Sequence, residues 1–250
     1  MKKTVALFIF LSLLLAGCNS NSSQPSSQPS DTSIAETTTA VTTSASPAPS
    51  VPEEITVETS GENFILTDDG YCLRALYYNS FTNTNEFPVS IDYVSVDIEF
   101  MDGMPLDSQS ANPWPHIINP GETSYIECSF DIYDTDFNSV GEPTLHYKVT
   151  SSQSMPSPSI EISDTSMVVE HDTPQIVGHI TNTSSDTYYS LVHVQAPVFE
   201  NGFIVSIPFS YVSDLGPGET KVFKLNTLYA QSDTDWNNCT YSVQIPDFDT

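Results

Sequence analysis

The sequence predicts an all-β protein: two tandem immunoglobulin-type antiparallel β-sandwich domains carried behind a disordered stalk. Apolar residues in the last 200 positions recur with a period of two, and turn residues punctuate the runs, as half-buried strands require. No segment there has the spacing of an amphipathic helix. The same region also carries an internal repeat. Thr82-Asn83-Thr84 returns as Thr181-Asn182-Thr183, and Asp134-Thr135-Asp136-Phe137-Asn138 returns as Asp233-Thr234-Asp235-Trp236-Asn237, both displaced by 99 positions.

Residues 1–17 read as a signal peptide. Lys2-Lys3 precedes an apolar run of about eleven residues from Val5 to Leu15, which is too short for the roughly 20 residues of a bilayer-spanning helix. Leu15-Ala16-Gly17-Cys18 then resembles the lipobox of bacterial lipoproteins. That resemblance implies cleavage between Gly17 and Cys18 and acylation of the Cys18 thiol. Each buried acyl methylene contributes about 0.8 kcal/mol, so two or three chains hold a protein at a membrane where one does not. Residues 18–52 are rich in Ser, Thr, Pro and Gln and lack apolar periodicity, so they have too little apolar surface to offset the entropy of ordering. Such a stalk reaches roughly 30 Å as a coil and about 100 Å when extended.

The repeat places one domain at 53–150 and the other at 159–250, joined by a Pro-bearing linker at 151–158. In the first copy Val94, Val96, Ile98 and Phe100 alternate with Ser95, Asp97 and Glu99; in the second Val192, Val194, Ala196 and Val198 alternate with His193, Gln195 and Pro197. The first set of each is expected to face the core and the second set water, with Pro197 marking an edge or a bulge. Pro120-Gly121-Glu122-Thr123 and Pro217-Gly218-Glu219-Thr220 are turns that open the next strand. That strand places Ile126, Cys128 and Phe130 inward in one copy, and Phe223, Leu225 and Thr227 in the other. Leu145, Tyr147 and Val149, then Tyr241, Val243 and Ile245, close the two copies. Six or seven short strands in roughly 90 residues match an immunoglobulin-like sandwich. Trp236, which repeats Phe137, is expected to plug the same core corner.

These elements together resemble the FxLYD and related immunoglobulin-like repeats of bacterial lipoproteins, over about residues 62–149 and 168–246. Ile98-Glu99-Phe100-Met101-Asp102-Gly103 and Val198-Phe199-Glu200-Asn201-Gly202 stand where that family has its eponymous element. The resemblance implies extracytoplasmic adhesion, binding or spacer modules without catalytic residues.

With 32 acidic residues against 6 basic and a net charge of −26, the chain has little with which to neutralise phosphates, so nucleic acid is a poor partner. The Asp134, Asp136, Asn138 and Asp233, Asp235, Asn237 triplets offer oxygen ligands at alternate positions, as the first half of an EF-hand loop does. The Gly and Glu that such a loop needs are replaced by Ser139 and Leu145. The competing reading is a turn in which Asp and Asn cap their own backbone. Once Cys18 is acylated, three cysteines remain. Cys72 and Cys128 are a candidate disulfide, with loop closure in its favour at about 4 kcal/mol; strand phases that point the two thiols to opposite faces stand against it. No Gly-x-Ser-x-Gly elbow, His-Glu-x-x-His pair or phosphate-cradling loop is present.

The expected function is therefore non-catalytic and cofactor-free: a lipid-anchored module on the extracytoplasmic face of a bacterial membrane, binding or spacing against an envelope protein or a glycan. Two alternatives are a carbohydrate-binding module using Tyr77-Tyr78, Tyr188-Tyr189, Trp114 and Trp236, and a Ca²⁺-dependent binding protein.

Overall fold

Extended runs with alternating burial pair into antiparallel sheets throughout the computed structural model, which describes residues 55–68, 70–170, 173–227 and 234–250. Gly17, Cys18, the 18–52 segment and Asp233 lie outside the described residues. Among the described residues there is no α-helix, only two short 3-10 turns.

The first half contains β1 (Val57–Asp68), β2 (Leu73–Asn83), β3 (Val89–Glu99), β4 (Pro105–Ser110), β5 (Ile117–Ile118), β6 (Thr123–Ile132) and β7 (Thr144–Ser151). One sheet runs β1-β2-β6; in the other, β3 is flanked by β7 on one edge and by β4 and then β5 on the other. The chain crosses between sheets after β2, after β5 and after β6, which closes a sandwich over Leu73, Ala75, Tyr77, Phe81, Val94, Val96, Ile98, Ile126, Cys128 and Phe130. Every residue expected to face inward from β3 and β6 is therefore in the core, except Phe100, which lies beyond the end of β3 and is half-buried.

The second half repeats this plan with β8 (Ile160–Glu170), β9 (Thr173–Asn182), β10 (Tyr189–Gln195), β11 (Val198–Glu200), β12 (Phe203–Ser206), β13 (Phe209–Leu215), β14 (Thr220–Asn226), β15 (Thr240–Tyr241) and β16 (Gln244–Asp249). The sheet β8-β9-β14 matches β1-β2-β6. The opposite sheet is split in two, β13-β10-β16 and β12-β11-β15. Prolines mark the split. Pro197 separates β10 from β11 and Pro208 separates β12 from β13, and neither has an N–H to give to a ladder. The Ala196 amide donates to the Pro208 carbonyl at 3.0 Å, so the two interruptions face each other. The closing strand expected through Tyr241, Val243 and Ile245 breaks between β15 and β16 to follow its neighbours.

The two sequence motifs that repeat most clearly are partners in space. Asn83, at the end of β2, is buried; its Nδ2 donates to the Phe87 and Ile118 carbonyls at 2.9 Å, and its Oδ1 accepts from the Asn85 amide at 2.9 Å. Asn182, at the end of β9, donates to the Thr187 and Leu215 carbonyls at 2.7 and 3.1 Å and accepts from the Ser184 amide at 3.0 Å. In both copies the asparagine carbonyl accepts from the Gly of Pro-Gly-Glu-Thr, and its amide donates to the Glu carbonyl, at 2.9 and 3.0 Å. Gly121 and Gly218 adopt φ of 80° and 71°, a conformation that residues with a Cβ resist. Thr82 and Thr123, and likewise Thr181 and Thr220, hydrogen-bond through their hydroxyls across the first rung of the following strand pair.

The turns that repeat Asp-Thr-Asp differ more than expected. Trp236 is buried in the second core, whereas Phe137 is 47% exposed, so Phe137 does not plug the corresponding corner.

The described residues lie in a single unit in which the halves share an apolar seam. Ile65, Leu76 and Tyr78, on the outer face of β1 and β2, pack against Ile204 and Ile207. β2 is consequently buried on both faces, from Ala75 to Phe81. Register slips between Ser60 and Asn63, where Gly61 has φ 67° and a Cβ would stand 3.0 Å from Ile204 Cγ1. The bulge lets Asn63 Nδ2 donate to the Ile204 carbonyl at 2.8 Å.

Removal of either buried asparagine strands two carbonyls without donors, at about 1–3 kcal/mol for each unsatisfied group. Asn182→Ala and Asn83→Ala should each lower the urea midpoint markedly. Asn182→Asp should do the same despite its equal size, because a carboxylate has no N–H to donate.

Candidate functional site

A cleft of about 280 Å³ opens between the two sandwiches beside their apolar seam. One wall comes from the outward residues of β6, Tyr125, Glu127 and Ser129, whose alternates Ile126, Cys128 and Phe130 fill the core. Trp114 joins this wall because its backbone pairs with that of Tyr125 in both directions at 3.0 Å. The facing wall is the outward side of β10 and β13, where His193 stands opposite Tyr211 and Gln195 opposite Phe209. Gln195 Nε2 donates to the Trp114 carbonyl at 2.9 Å, tying the walls together at one end.

Four rings crowd around one position. The His193 ring centroid lies 5.0 Å from that of Trp114, 5.5 Å from Phe209 and 4.9 Å from Tyr211. The Trp114 and Phe209 contacts are edge-to-face, the arrangement favoured by aromatic quadrupoles. His193 is 4% exposed, and neither ring nitrogen has a hydrogen-bond partner among the described residues. Burial pushes its pKa below the usual value, opposed in part by the Asp247 carboxylate, so the ring is neutral at pH 7.

Glu127 is the carboxylate of the cleft. It is half-buried, and no hydrogen bond or ion pair joins its side chain to another described residue. Burial alone pushes its pKa up to about 7. The two groups bias stability in opposite senses. Glu127 binds its proton more tightly folded than unfolded, so its contribution falls as pH rises from about 4.5 to 7. His193 binds its proton less tightly folded, so its contribution falls as pH drops below 6.5.

The residues singled out from sequence are distributed differently. His193 and Gln195, expected on a wet face, are 4% and 2% exposed because the other sandwich covers that face. Of the rings considered for carbohydrate binding, Tyr77, Tyr78, Tyr189 and Trp236 are buried, Tyr188 is exposed, and Trp114 lines the cleft. Asp134 sits in a left-handed conformation at φ 55°. Asp136 caps a 3-10 turn, accepting from the Asn138 amide at 2.9 Å, and Asp235 accepts from the Asn237 amide at 3.2 Å. These carboxylates are turned onto their own backbone, and among the described residues no group of three or more His, Cys, Asp or Glu is placed to hold a metal ion. Cys72 and Cys128 are not bonded to each other: the Cys128 thiol is in the first core, 3.8 Å from the Gln109 carbonyl, while the Cys72 thiol lies 3.9 Å from Asp131 Oδ1 on the outer face. Burial first, then Glu127 and Asp107, push the Cys128 thiol up to about 11.

No family model matches the chain, and no curated protein does. Several solved structures show distant likeness. A calcium-binding mutant of Bacteroides uniformis β-glucuronidase 2 is 13% identical, with 76% of this chain and 27% of that chain covered and a TM-score of 0.25. A DUF4785 family protein from Legionella pneumophila is 13% identical over 71% of this chain and 51% of its own, with a TM-score of 0.28. A GH2 β-galacturonidase from Eisenbergiella tayi, bound to galacturonate, is 14% identical over 79% and 44%, with a TM-score of 0.23. The chain thus spans about a quarter to a half of the length of these proteins.

Glu127→Gln removes the cost of ionising a buried carboxyl and should stabilise the fold more at pH 8 than at pH 5, by on the order of 2 kcal/mol, seen as a larger rise in melting temperature at the higher pH. Equal shifts at both pH values would contradict this account. Alkylation in denaturant without reductant should modify Cys128, detected by peptide mass spectrometry; protection of Cys128 would establish a bridge.

Proposed function

We propose that the protein is a non-catalytic binding module, acylated at Cys18 and held on the extracytoplasmic face of a bacterial membrane, with the cleft between its sandwiches as the binding site. The observation that carries this reading is the cleft itself: Trp114, Phe209 and Tyr211 converge on a space of about 280 Å³ with an uncompensated carboxyl at its side. Ligand sites commonly combine such aromatic lining with a few convergent polar groups between packed units.

The polar groups of the cleft support binding over catalysis. The His193 nitrogens are enclosed without partners, and among the described residues no Ser, Thr or Cys side chain is hydrogen-bonded to Glu127. The lipobox at Leu15-Ala16-Gly17-Cys18 and the Ser/Thr/Pro-rich stalk would hold the site away from the bilayer. In this reading 53–150 and 159–250 are two FxLYD-like domains of one duplication, and the 151–158 segment is the joint between them.

Two measurements test the reading. Cys18→Ser in the full chain should lose incorporated palmitate and shift from the membrane to the soluble fraction; retention in the membrane would sink the anchor. A thermal-shift screen of the full chain against envelope-derived small molecules should give stabilising hits that Tyr211→Ala abolishes, and hits indifferent to Tyr211→Ala would place binding elsewhere.

A further inference from the structure

The cleft's chemistry selects among classes of ligand. Among the described residues that line it there is no Lys or Arg, and Glu127 is the single carboxylic acid. Lys224, on β14, lines a smaller adjoining chamber with Glu127, but no ion pair joins them. The other titratable groups about the site are the Tyr125 and Tyr211 phenols, the Tyr78 phenol across the strand pair from Glu127, His116 against Trp114, and the neutral His193, behind which stands Asp247. Nothing in the site therefore offsets a negative charge at Glu127, and a chain carrying a net charge of −26 concentrates cations around it.

The ring geometry points the same way. Phe209 and Tyr211 stand at 79° to each other with centroids 5.9 Å apart, and Trp114 packs against the same His193 and lines the cleft with them. Ring quadrupoles attract a cation within about 6 Å of a centroid, and the attraction grows when the cation is desolvated. A neutral sugar finds less here. The Gln195 amide nitrogen is committed to the Trp114 carbonyl and the His193 nitrogens are enclosed; Ser110, Asn112, Ser129 and the Tyr125 and Tyr211 hydroxyls remain as hydrogen-bonding groups beside Glu127, and a neutral ligand brings no charge to offset that carboxylate. An anion would meet Glu127 with no positive group lining the cleft to balance it.

We propose that the cleft binds a small alkylammonium cation, with the Glu127 carboxylate as counter-ion and Trp114, Phe209 and Tyr211 as the aromatic enclosure. This rests on the cleft being the binding site, as proposed above. The bound cation supplies the charge that Glu127 lacks in the empty cleft, and its alkyl groups displace water from the rings.

The chain has two tryptophans, of which Trp236 is buried in the second core, so a ligand in the cleft reports through Trp114 fluorescence. Titration of the full chain at constant ionic strength with choline chloride should quench saturably. Glu127→Gln, checked by circular dichroism for an unchanged β spectrum, should weaken choline at least tenfold. Between pH 8 and pH 6 the affinity of the native chain should fall about tenfold as a carboxyl with a pKa of about 7 protonates, and the variant should show no such fall. Tyr211→Ala should weaken choline without removing the pH dependence. Glucose that quenches saturably, with Glu127→Gln unaffected, would overturn the cation assignment and leave the cleft as the binding site. Quenching by phosphatidylcholine vesicles and not by choline would overturn a free cation in favour of a lipid headgroup. Absence of quenching by choline, glucose and glucuronate alike would overturn the cation and the cleft together.

Discussion

Each half of the molecule hangs on one buried primary amide. Asn83 and Asn182 end the central strand of their sheets at the point where the chain must leave it, and a buried turn of that kind exposes carbonyls that no ladder can satisfy. One side chain with two donors and an acceptor resolves this, binding a carbonyl and an amide of the turn that follows and a carbonyl about 35 residues further on. The same residue's backbone grips the Pro-Gly-Glu-Thr turn, which sets where β6 and β14 begin and thereby which of their residues face inward. On β6, that choice sends Cys128 to the core and Glu127 to the cleft.

The outer surfaces of the two sandwiches form the cleft through irregularities. A continuous β10 with regular neighbours would present a flat sheet. Pro197 and Pro208 instead divide it, so that β12 turns its Ile204 end toward β1 while β10 and β13 hold His193, Gln195, Phe209 and Tyr211 at an open angle. Apolar contact closes the seam at one side and leaves a gap at the other. His193 and Glu127 are the electrostatic cost of that gap, one a base enclosed without partners and the other an acid without a counter-charge.

Periodicity made the cores legible. Val94, Val96 and Ile98, and Val192, Val194, Ala196 and Val198, alternate in a way that only a strand buried on one face explains, and they lie in the two cores. The repeated Thr-Asn-Thr and Pro-Gly-Glu-Thr motifs were legible as a duplication, though not as partners, because their contact spans about 40 residues of sequence. The cleft was hidden for a physical reason. Alternation reports that His193 and Gln195 are polar, and polarity is read as exposure, but here a second sandwich supplies the cover. The run Leu73 to Phe81 held a clue, since alternating burial cannot account for apolar Leu76 and Tyr78 beside Ala75 and Tyr77 unless both faces are dry. His193-x-Gln195 set against Phe209-x-Tyr211 is visible only once β10 and β13 are known to be neighbours.

The bulge at Gly61 lies apart from the cleft yet bears on the contact between the two sandwiches. A methyl group there would meet Ile204 at 3.0 Å, so the distance of closest approach between the sandwiches is fixed at a position that does not touch the cleft. In the proposed binding role, a substitution along this line of contact would move one wall of the cleft relative to the other while every cleft-lining side chain stays the same.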